Sequence, residues 1–172
     1  SGSNTFSGGT TIHEGKVTAS TTTALGAGAV VNHGSLDLTA GAVTYTGLSS
    51  SLSGNGSINV TLGTGSASTL LNGNYSNFTG TWNIGIGAAP GAGKVQMNGL
   101  DHPSATIRVL ENGTLYTTSG IHQADLVLYG GNTGESLGQL RIEGSATWAG
   151  EITLAGPITG TGAGHIGANS GT

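Results

Sequence analysis

One five-residue unit recurs along the chain and constrains its fold more than any other feature: Gly, polar, apolar, polar, apolar. Strong copies are Gly34-Ser35-Leu36-Asp37-Leu38, Gly56-Ser57-Ile58-Asn59-Val60, Gly80-Thr81-Trp82-Asn83-Ile84 and Gly93-Lys94-Val95-Gln96-Met97. Two more are Gly138-Gln139-Leu140-Arg141-Ile142 and Gly150-Glu151-Ile152-Thr153-Leu154. Weaker versions sit at Gly15-Lys16-Val17-Thr18-Ala19 and Gly113-Thr114-Leu115-Tyr116-Thr117. Side chains alternate across a strand, so a period of two specifies strands with one buried face and one wet face. Both polar slots of each strong copy are expected to meet water, and both apolar slots to enter a core.

The leading glycines are separated by 19, 22, 24, 13, 20, 25 and 12 residues. Several intervals lie near twenty, and the short ones are expected to place two strands in one coil. Ala105-Thr106-Ile107-Arg108-Val109 and Ala124-Asp125-Leu126-Val127-Leu128 read as sister strands without the leading glycine. About twenty residues per turn, with two or three short strands each, matches one coil of a parallel β-helix. The expected fold class is all-β: a single-stranded parallel β-helix (β-solenoid) of roughly 7–8 coils, about 35–40 Å long at ~4.8 Å per coil. One coil cannot bury its apolar positions alone, whereas stacking on neighbours completes a continuous core. Helix is nearly excluded, because Gly or β-branched residues interrupt every window of helical length and no charged i, i+4 face exists. The structural rival is an antiparallel sandwich or barrel with hairpins at Asn55-Gly56, Asn72-Gly73, Asn98-Gly99 and Asn112-Gly113, and it would need strands of uneven length.

Composition agrees with outward-facing strands. Charged residues make up only 7% of the chain and Gly accounts for 34 of 172 residues. Thr and Ser add 25 and 18, so hydroxyls and amides must cover a surface that an ordinary domain, roughly a quarter charged, covers with ions. A hydrophobic share of 35% separates the chain from disordered sequences, which are depleted in aliphatics. Three Pro and aperiodic Gly exclude collagen. The net charge of -4 is dispersed and provides no basic footprint for nucleic acid or anionic lipid. Without Cys there are no disulfides, thiolate metal sites or thiol nucleophiles. No signal-peptide pattern and no apolar run near the length of a membrane span is present. Direct membrane insertion by this stretch is therefore not expected, and any export signal is expected to lie outside it.

Residues 4–17, Asn-Thr-Phe-Ser-Gly-Gly-Thr-Thr-Ile-His-Glu-Gly-Lys-Val, closely resemble the passenger-associated transport repeat (the autotransporter-associated β-strand repeat) of autotransporters. The stretch from Ala24 to Val30 and the pentad Gly34–Leu38 look like that repeat's second half, so the strong resemblance covers residues 4–38. Residues 50–60 and 74–84 are looser relatives, and 156–172, opening on Gly156-Pro157-Ile158-Thr159-Gly160, look like the start of a next repeat. The resemblance implies a right-handed β-helix spanning residues 1–172 as a segment of a larger protein, secreted and displayed on the cell surface of a Gram-negative-type bacterium. In that family the repeat is tied to passenger export and folding rather than to catalysis. The family's outer-membrane barrel is not part of the sequence.

A search for chemistry finds little. Gly87-Ala88-Ala89-Pro90-Gly91-Ala92-Gly93-Lys94-Val95 approaches a phosphate loop, but the first Gly is one position off and Val95 stands where a magnesium-binding hydroxyl is needed. Gly162-Ala163-Gly164-His165-Ile166-Gly167 spells a dinucleotide fingerprint that no helix follows. Asp101-His102 and Ser119, His122 and Asp125 contain triad residue types, yet proximity in sequence supplies neither an oriented base nor oxyanion donors. Those residues provide no four-ligand metal set, and Gly130-Gly131-Asn132-Thr133-Gly134-Glu135 is only distantly like a calcium-binding nonapeptide. Three Asp and five Glu are spread along the chain, whereas hydrolysis of glycosides needs a carboxylate pair. No catalytic residue, metal or cofactor is expected.

Glycan contact is harder to dismiss. Exposed aromatics with nearby amides and charges make shallow carbohydrate sites, and the candidate set is Tyr116, Asn83 and Arg141, all on outward slots. Tyr45, Tyr75 and Tyr129 sit near turns, Trp82 falls in an inward slot and reads as core, and Trp148 is ambiguous. The bland reading of outward Asn59, Asn83, Gln96 and Thr153 is a solvated face. The leading expectation is a non-catalytic structural or adhesive passenger segment, and the alternative is a glycan-binding module of a secreted carbohydrate-active protein. Expected partners are neighbouring solenoid repeats of the same chain, with host or environmental glycans or surface proteins beyond them, and no nucleic acid.

Overall fold

A computed structural model describes residues 4–41, 43–45, 48, 51–65, 67–71, 73, 75–98, 104–133, 138–157, 164 and 166–168. In chain order the first strands are β1 (Thr10–Ile12), β2 (Lys16–Ala19), β3 (Val30–Asn32), β4 (Ser35–Leu38), β5 (Leu52–Gly54) and β6 (Ser57–Val60). Next come β7 (Ser68–Leu71), β8 (Asn77–Phe78), β9 (Thr81–Ile84), β10 (Lys94–Met97), β11 (Thr106–Val109) and β12 (Thr114–Thr117). The last are β13 (Ile121–His122), β14 (Asp125–Leu128), β15 (Leu140–Ile142), β16 (Thr147–Trp148), β17 (Ile152–Leu154) and β18 (Ile166–Ala168).

Every ladder between these strands is parallel, and together they stack as a β-solenoid. Seven strands form the principal sheet in the order β2-β4-β6-β9-β11-β14-β17, and five form a second sheet, β7-β10-β12-β15-β18. The third side is shorter. It carries β1-β3-β5-β8 and then, at the corresponding place in the chain, the pair β13-β16. Among the described residues the antiparallel rival survives only as the isolated bridge between Thr64 and Ala92. Seven stacked strands are joined by about 6 turns, fewer than the 7–8 expected, because several turns are longer than twenty residues. Val17 pairs with Leu36, but Trp82 pairs with Ile107 and Leu126 with Ile152, offsets of 19, 25 and 26.

The pentads sort onto two faces. Those starting at Gly15, Gly34, Gly56, Gly80 and Gly150 feed the principal sheet, and Gly93, Gly113 and Gly138 feed the second. The short intervals from Gly80 to Gly93 and from Gly138 to Gly150 therefore do bracket two strands of one winding. The glycine-free sisters at Ala105 and Ala124 belong to the principal sheet, where they fill the two levels that lack a glycine pentad.

Register turns the alternation into a core. One inward row is Val17, Leu36, Ile58, Trp82, Ile107, Leu126 and Ile152. The other is Ala19, Leu38, Val60, Ile84, Val109, Leu128 and Leu154. Trp82 is fully buried, with Tyr75 at 5.2 Å and Phe78 at 5.7 Å between ring centroids, both edge-on. Edge-to-face pairs of this kind add about 0.5–1.5 kcal/mol beyond area burial. Tyr75 and Tyr45, placed near turns by the sequence, belong to this core and are not surface aromatics.

The leading glycines have a steric cause. A Cβ at Gly56 would collide with the carbonyl oxygen of Gly34, and one at Gly80 with that of Gly56. At these two levels successive coils approach too closely for a side chain pointing along the stack, whereas the slot admits the methyl groups of Ala105 and Ala124 farther along.

One expectation fails on the second sheet. The first polar slots of its strong copies do not meet water as expected: Lys94 and Gln139 are buried, the latter at 1% exposure, and so is Thr114 in the weaker copy. On this face the slot after glycine lies at the coil's corner, where backbone groups of the adjacent coils need partners. Gln139 supplies them: its amide donates to the carbonyls of Leu110 (2.9 Å) and Val109 (3.4 Å), and its oxygen accepts from Gly130 N–H (2.5 Å). Asn32 does the same on the third side, donating to Ser57 O at 2.9 Å and accepting from Gly34 N–H at 3.2 Å.

Candidate functional site

The residues singled out for glycan contact lie on two different faces, and the structure does not assemble them into one site. Asn83 stands on the principal sheet, in the outward row Thr18, Asp37, Asn59, Asn83, Arg108, Val127 and Thr153. Tyr116 and Arg141 stand on the second sheet, paired directly with each other in the outward row that also holds Leu70 and Gln96.

Asn83 is part of a polarised ladder. Its amide donates to Asn59 Oδ1 at 2.8 Å, and the Asn59 amide donates to Asp37 Oδ1 at 2.7 Å and to Ser35 Oγ at 3.1 Å. Lys16 Nζ closes the far end on Asp37 Oδ2 at 2.6 Å. Each side chain reaches the level before it, so three coil-to-coil joints are bridged outside the core. The Asn59 hydrogen bond, together with Lys16, holds the Asp37 carboxyl below its ordinary value, because both favour the ionised form.

The Tyr116 cluster is equally self-contained. Its hydroxyl donates to Glu143 Oε2 at 3.1 Å, and Arg141 Nε bonds Glu143 Oε1 at 2.5 Å. The Arg141 guanidinium lies over the Tyr116 ring at 4.7 Å from its centroid, and Lys94 Nζ at 5.6 Å. Arg141 and Glu143 keep only 16% and 17% of their side-chain surface exposed. A sugar ring could stack on Tyr116 only by displacing a cation already seated there, so the arrangement ties successive coils rather than presenting an aromatic platform.

The triad types are not arranged as a triad. His122 is buried at 1% exposure and stacks on Trp148, 5.1 Å between centroids and 10° between planes. Its Nε2 lies 2.7 Å from Thr117 Oγ1 and 3.2 Å from the backbone oxygen of Ser119. Asp125 points outward on the neighbouring strand, where its carboxylate accepts from Glu151 N–H at 3.4 Å. Asp101 and His102 lie outside the described residues. Among the described residues no three His, Cys, Asp or Glu gather to hold a metal ion, and no helix is long and apolar enough to cross a membrane.

Residues 86–92, which include most of the glycine-rich stretch 87–95, line one side of a groove of about 340 Å³, opposite Thr61–Thr64. Backbone amides of that stretch are engaged within the protein: Ala88 N–H with Gly85 O, Gly91 N–H with Asn132 O, Ala92 N–H with Ala89 O and Gly93 N–H with Gly63 O. Lys94 does not line the groove. A phosphate cradle needs free, convergent N–H groups and a lysine aimed at them; here four of the loop's N–H groups are spent on protein carbonyls and Lys94 stands outside the groove.

With the surface accounted for in this way, similarity to other proteins could decide the matter. No family model, curated protein or solved structure matches the chain. What sequence reasoning missed is that Asp37, Asn59, Asn83 and Tyr116 work as coil-to-coil ties. The signal was available in hindsight, since Asp37, Asn59 and Asn83 occupy the same slot of successive pentads.

Proposed function

We propose that the chain is a non-catalytic structural and adhesive segment of a secreted, surface-displayed bacterial protein, of the kind found in autotransporter passengers. The observation that carries this reading is the disposition of polar groups. On both wide faces side chains reach the neighbouring coil, Asn59 to Asp37 and Asn83 to Asn59 on one and Tyr116 to Glu143 on the other, with Arg141 lying over the Tyr116 ring. A surface built to stiffen a column suits a spacer that holds other regions away from a cell.

The packing of the N-terminal segment supports the same reading. The two halves of residues 4–38 that resemble the passenger-associated repeat touch each other: Asn4 Nδ2 donates to Ala24 O at 2.6 Å, and Ala27 N–H donates to Phe6 O at 3.1 Å. Within 156–172, the stretch that looks like the start of a next repeat, β18 pairs with β15; residues 158–163, 165 and 169–172 lie outside the described residues.

Two measurements test the proposal together. Intact cells of the source bacterium, probed with an antibody against the chain, are expected to stain without permeabilisation. The purified chain, incubated with a panel of acidic and neutral polysaccharides, is expected to release no new reducing or unsaturated ends. Turnover that disappears in His122→Ala, or staining seen only after lysis, would overturn it.

A further inference from the structure

We propose that Asn55–Gly56 is a self-modifying site: the Gly56 nitrogen closes on the Asn55 side chain with help from His33, and water opens the resulting succinimide to aspartate and isoaspartate. The inference rests on the fold alone, so it stands or fails separately from the functional reading.

The chemistry needs an asparagine amide, an unhindered backbone nitrogen after it, and a hydrogen-bond donor on the amide oxygen. Gly56 supplies the second, since it has no Cβ to crowd its nitrogen. Asn55 is exposed in the corner between β5 and β6, so water reaches it and ammonia can leave. The donor comes from the previous coil. His33 Nδ1 lies 2.8 Å from Asn55 Oδ1, and a carbonyl oxygen only accepts, so the imidazole donates. The two residues precede Gly34 and Gly56, and the stack holds those levels in register through Ser57 N–H on Gly34 O at 2.8 Å.

In the first step the Gly56 nitrogen bonds to Asn55 Cγ and gives its proton to water. Negative charge develops on Oδ1, where the His33 N–H already points, and a donor aimed at that atom stabilises the transition state. The Cγ–Nδ2 bond then breaks, and ammonia leaves with a proton taken from water. Water next adds to one of the two ring carbonyls. Opening at Cγ gives aspartate, and opening at the main-chain carbonyl gives isoaspartate. One water is consumed and one ammonia released, with no oxidant. Gly56 N–H donates to Asn32 O at 2.9 Å, so each turnover waits for a brief local opening of this corner.

Asn112–Gly113 is the natural comparison. Asn112 Oδ1 also accepts an N–H, from Asn132 at 2.8 Å, but its Nδ2 is held by Ala88 O at 2.9 Å. Gly113 is buried as well. The leaving group is pinned there and water is kept from the attacking nitrogen. At residue 55 the two products differ in consequence. Aspartate keeps an acceptor for His33 and leaves the backbone unchanged. Isoaspartate adds a carbon to the main chain beside Gly56, where even a Cβ would clash with Gly34 O, and so loosens the joint between β4 and β6.

The test is to hold the purified chain at neutral pH and physiological temperature, and to follow it by peptide mass spectrometry with an isoaspartate assay. Asn55 is expected to lose its amide well ahead of Asn112, giving both products. His33→Phe is expected to slow the loss about tenfold, less than the ~hundredfold or more that such a donor is worth in a dry active site. His33 is exposed, so the thermal midpoint should not move. An Asn55 that keeps its amide as long as Asn112 does would overturn the proposal. So would an unchanged rate in His33→Phe. His33→Ser, which also removes the ring, is measured beside it and decides if His33→Phe fails to fold.

Discussion

Two residues show how this fold handles polarity. Gln139 replaces water for three backbone groups at a buried corner. Gln139→Leu would keep the volume and strand those groups, and an orphaned buried donor or acceptor costs about 1–3 kcal/mol each. We expect urea unfolding of Gln139→Leu to show a loss of about 2 kcal/mol or more. Asp37 makes a second, pH-dependent prediction. Its carboxyl titrates below the ordinary 3.8, chiefly through the Asn59 hydrogen bond and then Lys16. A lowered folded-state value means that its contribution is fully present above the unfolded value and fades as pH falls through the folded one. Thermal melts of the wild type and Asp37→Asn should therefore differ by a constant amount from neutral pH down to about 3.8 and converge below it. A gap that widens in acid would contradict the assignment. Lys16 is 63% exposed, and an ion pair so open adds little by itself, so raising the salt concentration should change the gap only slightly.

At the scale of elements, the pentad decided nearly everything that was legible in advance. The strands β4, β6, β9, β10, β15 and β17 fall within its strong copies, and the rows Leu36–Ile58–Trp82 and Leu38–Val60–Ile84 follow from its two apolar slots. The third side was not legible. Its strands are two or three residues long, too short for a period to show, and they end in corners whose partners lie a whole coil away. Asn32 and Gln139 look like ordinary surface amides until the adjacent coil is in place. The burial of Lys94 and Thr114 was hidden for the same reason: one pentad text serves two faces, and only the second turns its first slot into a corner. For the glycine slot we expect Gly80→Ala to be markedly destabilising, because its Cβ would meet both Gly56 O and the Phe78 ring. Thr106→Ala, two levels from Gly56 and half-buried, should change the unfolding midpoint little. Equal effects would remove the close-approach account of the pentad.

For the whole molecule, stacking makes stability approximately a sum over neighbouring coils. The aromatic group of Tyr75, Phe78 and Trp82 sits at the middle level of the principal sheet, with three strands on either side of β9. Trp82→Ala should cost about 3–5 kcal/mol and divide the column into two weakly coupled halves, visible as a second unfolding transition. The candidate glycan residues belong to this scale as well. Tyr116, Asn83 and Arg141 were chosen as exposed chemistry, but at least two of the three, Asn83 and Tyr116, form side-chain bonds to another coil, a role that no single coil's sequence displays.

The central claim is that successive pentads climb one parallel stack. Spin labels placed in pairs on the outward row test it most directly, using Thr18 with Arg108 and Thr18 with Val127. Their Cα positions are four and five levels apart, so the separations should be about 19 Å and 24 Å at ~4.8 Å per level. A 127 label no farther from 18 than the 108 label would mean that the chain folds back on itself, and the solenoid account would be wrong.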